Sequence, residues 1–487
     1  MRQVTLPRVG RLARPSTTNY TRYHIATAEA PDVAPWPSRF KVHVSKIGLA
    51  KYLIKEIVAY KGDKEVILNR PCMYGVFSGP VGGFAPREQL CVGCLRCTTQ
   101  HPDFVRISHN PERRRLGDAY FHFEHVNTIA YEAATGRVPV KGAGYRGQFG
   151  GDGWDGMWTD MSEIVRPTRD GIHGREFIST AVDIGAKPSF LRFGPDGALA
   201  GPAPRTFSLP LPFLFDAPAT AVASPKLHAI LARTAAAVDS LAMLPITAVL
   251  EQNGGDYLVP LVRPDESVLL DKLAFAPRMV AMDGWDPALF ATIGAQLPDA
   301  LVCLRLPFGA AAEGGANAGE DLLRLAELGV SVFHLTADYH GRGADGRFVF
   351  DLIRDAHQTF VDAGLRDTVT LLGSGGIIAA EHAPKAIIAG LDAVVLDTPL
   401  LVALQARFAG DFVNRHSRNC ALPDAVTVAW GAQRLQNLMA AWRDQLLEIL
   451  GAMGIREVRR LRGEMGRAMF QEELERAAFA GIAGYPG

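Results

Sequence analysis

From about residue 209 onward, short apolar runs alternate with stretches whose apolar positions recur every three to four residues. That alternation predicts parallel βα units: a strand covered on both faces reads as a continuous apolar run, whereas the helix that covers it is amphipathic. The clearest predicted strands are residues 301–306 (LVCLRL), 331–335 (SVFHL), 368–372 (TVTLL) and 393–396 (AVVL), with fainter ones at 212–215, 245–250 and 257–262. Helical patterns follow at 321–328, 348–363, 381–389 and 399–408. The repetition favours a (β/α)8 barrel over a doubly wound sheet.

Upstream the pattern changes. Residues 1–37 have no apolar period and are expected to be coil, an extended arm lying on a partner. Residues 45–60 place Ile47, Leu49, Leu53, Ile54, Ile57 and Val58 near one side of an amphipathic helix that Gly62 ends. A glycine-rich stretch with large aromatics, 140–158, is expected to be a loop packed against other structure. Residues 432–480 read as nearly all helix, with Arg456, Arg459, Arg460 and Arg462 on a solvated face. The expected organisation is α/β: a smaller α+β domain over 1–155, the barrel over 156–430 and a helical extension over 431–487.

Composition narrows the function. The 487 residues carry 51 Lys plus Arg against 51 Asp plus Glu, so no net field draws in nucleic acid or anionic lipid. No apolar run reaches the roughly 20 residues of a membrane span. Arg2, Arg8, Arg11 and Arg14 precede the first acid, Glu29, without the apolar core of a secretory signal. Four of the six cysteines fall between Cys72 and Cys97. Clustering of that kind without an export signal points to metal ligation in a reducing, cytoplasmic compartment.

The cluster reads C-x2-C-x2-C-x3-H-P from Cys91 to Pro102. Three thiolates in seven residues can wrap one corner of a cubane, and in the bacterial ferredoxin run the next position ligates a different cluster. His101 occupies that position here. The pattern therefore predicts one 4Fe-4S cluster on Cys91, Cys94 and Cys97, with Cys72 as the fourth ligand and His101 as the competitor. Structural zinc is the rival, although zinc sites usually pair C-x2-C with a distant second pair.

In the barrel, Gly373-Ser374-Gly375-Gly376 follows a predicted strand end and precedes a helix, and Thr398 follows the next strand. The loops after strands seven and eight commonly hold a phosphate through backbone N–H groups. An ordinary tight turn is the competing reading. The longer run LRDTVTLLGSGGIIAAEHAPKAIIAGLDAVVLDTPLL, residues 365–401, resembles the end of the FMN barrel of glutamate synthases. The ALVCLRL strand matches a family strand that ends in lysine, with Arg305 in its place. HLTADYHGRGADG sits at the family's glycine-rich loop, and residues 157–177 resemble its approach segment.

The resemblance implies a flavin and iron-sulfur oxidoreductase reducing an imino acid of the 2-iminoglutarate type, with electrons from a ferredoxin-like donor or partner subunit. It implies FMN on Gly373, Ser374, Gly375, Gly376 and Thr398. Arg305, at a strand's C-terminal end, is expected either by the flavin or in a salt bridge at the barrel rim; Asp338, His340 and Arg342 lie in a loop on the same face, where they would move protons or hold a carboxylate, the competing reading being solvated or turn-forming residues. The sequence departs from the family at Asp397, beside the expected phosphate, and at the family's three 3Fe-4S cysteines, of which one remains, Cys420. Met1-Arg2 offers no N-terminal nucleophile, so ammonia is expected from solution or a separate glutaminase subunit in an oligomer. The alternative expectation is a flavin-free barrel serving as scaffold or electron-relay subunit.

Overall fold

The computed structural model describes residues 23–34, 36–63, 72–139, 153–159, 178–187, 192–200, 205–218, 222–252, 254–310, 318–479 and 481–483. Eight parallel strands close into a barrel: Phe213–Asp216, Ala242–Pro245, Leu258–Val262, Met279–Asp283, Leu301–Pro307, Val332–Thr336, Thr370–Ser374 and Ala393–Leu396. The ring closes between the eighth strand and the first, Val394 lying opposite Phe213. Strand residues 213–216, 370–374 and 393–396 are buried throughout, as both faces of such a sheet require. A hairpin of Val182–Gly185 and Thr206–Leu209 covers the N-terminal end, where the Gly185 amide donates to Thr370 Oγ1 at 2.9 Å.

Several expected elements move. Residues 246–251 are helix, and the second strand ends at Pro245, whose φ of −48° leads directly into that helix. A short apolar run fits either state, and length alone does not separate them. The fourth strand, Met279–Asp283, has only five residues and no distinct turn signal before it, and the sequence reading missed it. The helix expected to 408 stops at Ala403, and Arg407–Phe408 instead pairs with Cys420–Ala421.

The C-terminal tail is one long helix, Val428–Ala452, then short turns and a strand, Ala468–Phe470, paired with Met157–Thr159, and a second helix, Gln471–Phe479. Arg456, Arg459 and Arg460 are exposed, but in the turns after the long helix and not on a helix face. Arg459 pairs with Asp183, and Arg462 reaches both Asp392 and Asp367, at 2.9 and 2.6 Å. The long helix packs against Phe123–Thr135 and Pro225–Ala237. Of the expected arm, residues 23–34 lie on this chain's own helix: Asn437 donates to Ala28 O and Arg434 to Ala30 O. Residues 1–22 lie outside the described residues.

The helix at Lys46–Ala59 forms as expected, with Ser45 accepting from the Gly48 amide as its N-cap. Its apolar side is not covered: Leu49 is buried, but Ile47, Ile54, Ile57 and Val58 are exposed. A small separate core of Phe40, Val42, Val76, Phe77, Cys91, Cys97 and Val105 supports the cysteine region. Phe121, Val126, Ile129 and Trp154, by contrast, belong to the large core of the barrel. Most of the glycine-rich stretch, 140–152, and the approach segment from 160 to 177 lie outside the described residues. Among the described residues no helix is long and apolar enough to cross a membrane.

Candidate functional site

Two neighbourhoods hold the predicted site residues. In the first, the chain from Cys91 to Cys97 folds back on itself through two left-handed residues, Gly93 at φ +68° and Leu95 at φ +61°. A side chain at Gly93 would strike the Phe40 ring. The turns bring Cys94 toward Cys91 and Cys97, and Cys72 arrives from the preceding loop to pack against the same core. Burial pushes the Cys91 thiol up to about 11; the Gly93 amide opposes this, while Cys97, Cys72 and Cys94 add to it. Cys97 is raised by burial as well, with Cys94 and Cys72 reinforcing the effect against Thr98. Four thiols thus share one pocket. The His101 ring lies edge-on to Tyr52, with centroids 4.6 Å apart, and stacks on Phe104 at 5.1 Å.

The second neighbourhood is the C-terminal mouth of the barrel. Arg305, on the fifth strand, points inward, and its Nη2 donates to Asp216 Oδ2 at 2.9 Å. Arg415, from the 409–419 loop, pairs with the same carboxylate and donates to Ala217 O at 2.9 Å. Burial pushes Asp216 up, but Arg305 first and Arg415 next hold it below the usual carboxylate range. His334, on the sixth strand, lies 2.9 Å from Ser374 Oγ through Nε2. Burial and the Arg305 charge bring it down to about 3, so the ring is neutral. His334 Nδ1 and Tyr339 Oη are buried polar atoms without a hydrogen-bond partner.

Asp397 closes the mouth behind the eighth strand. It caps the helix Thr398–Ala403, accepting from the Thr398 amide at 2.5 Å and the Thr398 hydroxyl at 2.9 Å. Burial pushes its carboxyl up to about 6. Gly375 and Gly376 hold φ of +96° and +72°. A Cβ on Gly375 would meet Ala337 O at 2.7 Å, and one on Gly376 would meet Gly341 Cα at 2.6 Å. Packing between the sixth and seventh βα loops therefore demands glycine here by itself. Gly373 is confined by Leu391.

The loop residues proposed for catalysis are engaged elsewhere. Asp338 Oδ1 accepts from the amides of His340 and Arg342 at 2.9 and 2.7 Å, which makes it the organiser of its own turn. His340 Nε2 lies 3.0 Å from Asp118 Oδ2, and its ring stacks on Tyr120 at 5.3 Å. Burial lowers His340, but Asp118 outweighs it and the ring is raised overall. Arg342 is exposed, its guanidinium 5.6 Å over the Phe348 ring. Asp216, His334, Tyr339 and Arg415 were not singled out from sequence. The charged end of FLFD and the histidine within SVFHL are the only local signals they carry.

The family model described as the conserved region in glutamate synthase matches residues 348–456, from the helix after the sixth strand through the long C-terminal helix. Over that region and beyond it the chain is similar to glutamate synthases. It is 34% identical over 131 residues to an archaeal glutamate synthase [NADPH] of Methanocaldococcus jannaschii, covering 24% of this chain and 25% of that protein. An archaeal-type glutamate synthase [NADPH] of Dehalococcoides mccartyi is 23% identical over 455 residues, 80% of this chain and 89% of the relative. Among solved structures, a flavocytochrome b2 variant with sulfite bound covers 68% of this chain and 84% of its own, at 14% identity and a TM-score of 0.37.

The residues bear on both groups that the resemblance implies. Four gathered thiols match the donor set that an iron-sulfur cluster takes, and also that of a structural zinc. For FMN, the buried His334 Nδ1 and Tyr339 Oη, without hydrogen-bond partners among the described residues, suit the polar edge of a flavin ring. At the phosphate end, Asp397 is compatible with a dianion only as the neutral acid, a form its raised value of about 6 brings within reach.

Proposed function

We propose that the protein is an iron-sulfur and flavin oxidoreductase of glutamate-synthase type that reduces an imino acid, with electrons entering through the cysteine pocket. The gathering of Cys72 with Cys91, Cys94 and Cys97 carries this reading.

In this reading Cys72, Cys91, Cys94 and Cys97 hold the cluster, which supplies one-electron transfer. FMN would lie across the mouth between Arg305 and the Gly373–Gly376 loop, supplying hydride chemistry. The chain's own part is to fix charge. Arg305 and Arg415 both pair with the buried Asp216, His334 stays neutral, and Ser374 holds its Nε2. A neutral imidazole there can donate or accept at Nδ1 without adding charge.

Asp397 favours a second reading, a flavin-free barrel that serves as an electron-relay subunit, because an ionised buried carboxylate would repel a phosphate. An absorption spectrum of anaerobically purified protein separates the two: flavin bands over a broad cluster absorption support the enzyme, and a cluster alone supports the relay. Activity is then tested with ammonium, 2-oxoglutarate and either NADPH or reduced ferredoxin. Glutamate formation is expected; flavin-loaded protein that yields none with either donor overturns the imino-acid assignment.

A further inference from the structure

A third cluster of side chains belongs to neither neighbourhood. His125, on the helix Phe123–Thr135, Asp155, in the turn Gly153–Gly156, and His382, at the start of the helix His382–Ala389, bring one ligating atom each within 4.8 Å of one another. His382 is 2% exposed. Its Nε2 faces Asp155 Oδ1 at 3.7 Å, longer than a hydrogen bond, and has no other partner. His125 Nδ1 is also buried and unpartnered. Two imidazoles and one carboxylate thus converge, and each of the two rings carries a buried nitrogen without a hydrogen-bond partner among the described residues, an arrangement that burial makes costly unless something occupies the centre.

We propose that His125, Asp155 and His382 bind a divalent first-row transition ion of the zinc or iron(II) kind. Two imidazoles and a carboxylate form the three-ligand set such ions take when further positions stay open to water. The ligands come from three segments far apart in sequence, so the ion ties the Phe123–Thr135 helix and the Gly153–Gly156 turn to the helix that follows the seventh barrel strand. Lys385 donates to the Trp154 carbonyl at 2.6 Å, and Glu381 stands at the N-cap of the same helix.

Binding has one identifiable cost. His382 Nδ1 accepts from the Ile378 amide at 3.3 Å, which puts the proton of the neutral ring on Nε2. Ligation through Nε2 moves that proton to Nδ1 and gives up the bond from Ile378. A hydrogen bond of this length is the weaker interaction, and a metal–nitrogen bond replaces it.

The test uses full-length protein with its cysteine site loaded with iron, so that thiols do not compete. After treatment with a mild chelator, the protein is incubated with Zn2+, desalted and analysed for zinc per chain. One equivalent is expected in the wild type, together with a rise in thermal midpoint on adding Zn2+ that follows from preferential binding to the native state. Asp155→Asn and His382→Gln should lose both; the glutamine oxygen can still accept from Ile378, which preserves the local fold. His125→Asn provides a third variant should either fail to fold. Zinc-free wild-type protein overturns the proposal. So does zinc retained in folded His382→Gln and Asp155→Asn, or zinc that is lost only when Cys91→Ser is introduced.

Discussion

Arg305 and Asp216 meet inside the barrel, Nη2 to Oδ2 at 2.9 Å, with side chains 6% and 1% exposed. The arginine that aligns with a family lysine is therefore not a free cation at the rim. Its charge is already matched by a carboxylate from the first strand, and Arg415 shares that carboxylate from the far side. Removing one member leaves a buried charge with less compensation, and such losses commonly cost several kcal/mol. Arg305→Met is expected to destabilise the protein by about 3 kcal/mol in urea unfolding. A change below about 0.5 kcal/mol, the usual scale of surface substitutions, would show that the pair does not hold the mouth together.

Asp397 should make stability and flavin affinity depend on pH in a specific direction. Its native value is about 6, against an ordinary 3.8, so the folded state binds the extra proton between those values. Stability from this group is full below about pH 4 and is lost as pH rises through about 6. The two-unit shift corresponds to about 3 kcal/mol at pH 8. Asp397→Asn keeps an acceptor for the Thr398 amide and should raise the unfolding free energy at pH 8 but not at pH 4. In the wild type, FMN should bind more tightly at pH 5.5 than at pH 8, and Asp397→Asn should flatten that dependence. An unchanged pH profile in the variant would remove Asp397 from the account.

Cys72→Ala should convert the cluster to a labile three-iron form or abolish it, because Cys72 shares the pocket with the other three thiols. His101→Ala should leave a normal 4Fe-4S signal, since its ring is packed between Tyr52 and Phe104. Electron paramagnetic resonance on reduced and oxidised samples separates the outcomes, and the reverse pattern would make His101 the fourth ligand.

His340 is bound to Asp118, a carboxylate that also accepts from the Phe412 amide at 2.9 Å and so joins three loops above the mouth. The pair raises His340 despite burial, so its contribution is full below the ordinary histidine value of 6.5 and fades as pH rises through the higher native value. Asp118→Asn should return the ring toward ordinary titration, followed by NMR. It should also cost about 2 kcal/mol at pH 6, with a smaller loss at pH 9 where the imidazole is neutral. Equal losses at both pH values would mean that the charge on His340 contributes nothing.

Much of this protein could be read along the chain because its signals are local. The strands at 301–306 and 393–396 and the helix after Ser45 depend on neighbours a few residues away, and the structure returns them within a residue or two. The second and fourth strands blurred because apolar runs of four residues do not distinguish strand from helix. The mouth was hidden for a different reason. Asp216, Arg305 and Arg415 span 199 residues, and His125, Asp155 and His382 come from three segments, so their meeting is set only when the barrel closes and the helix Phe123–Thr135 docks on it. The sequence by itself determined which residue types were available and the short-range turns that hold three cysteines together. Tertiary structure alone decided that Arg305 faces a carboxylate, that Asp397 is buried and hard to ionise, and that His340 holds Asp118, because charge pairing and desolvation depend on what surrounds a group in space.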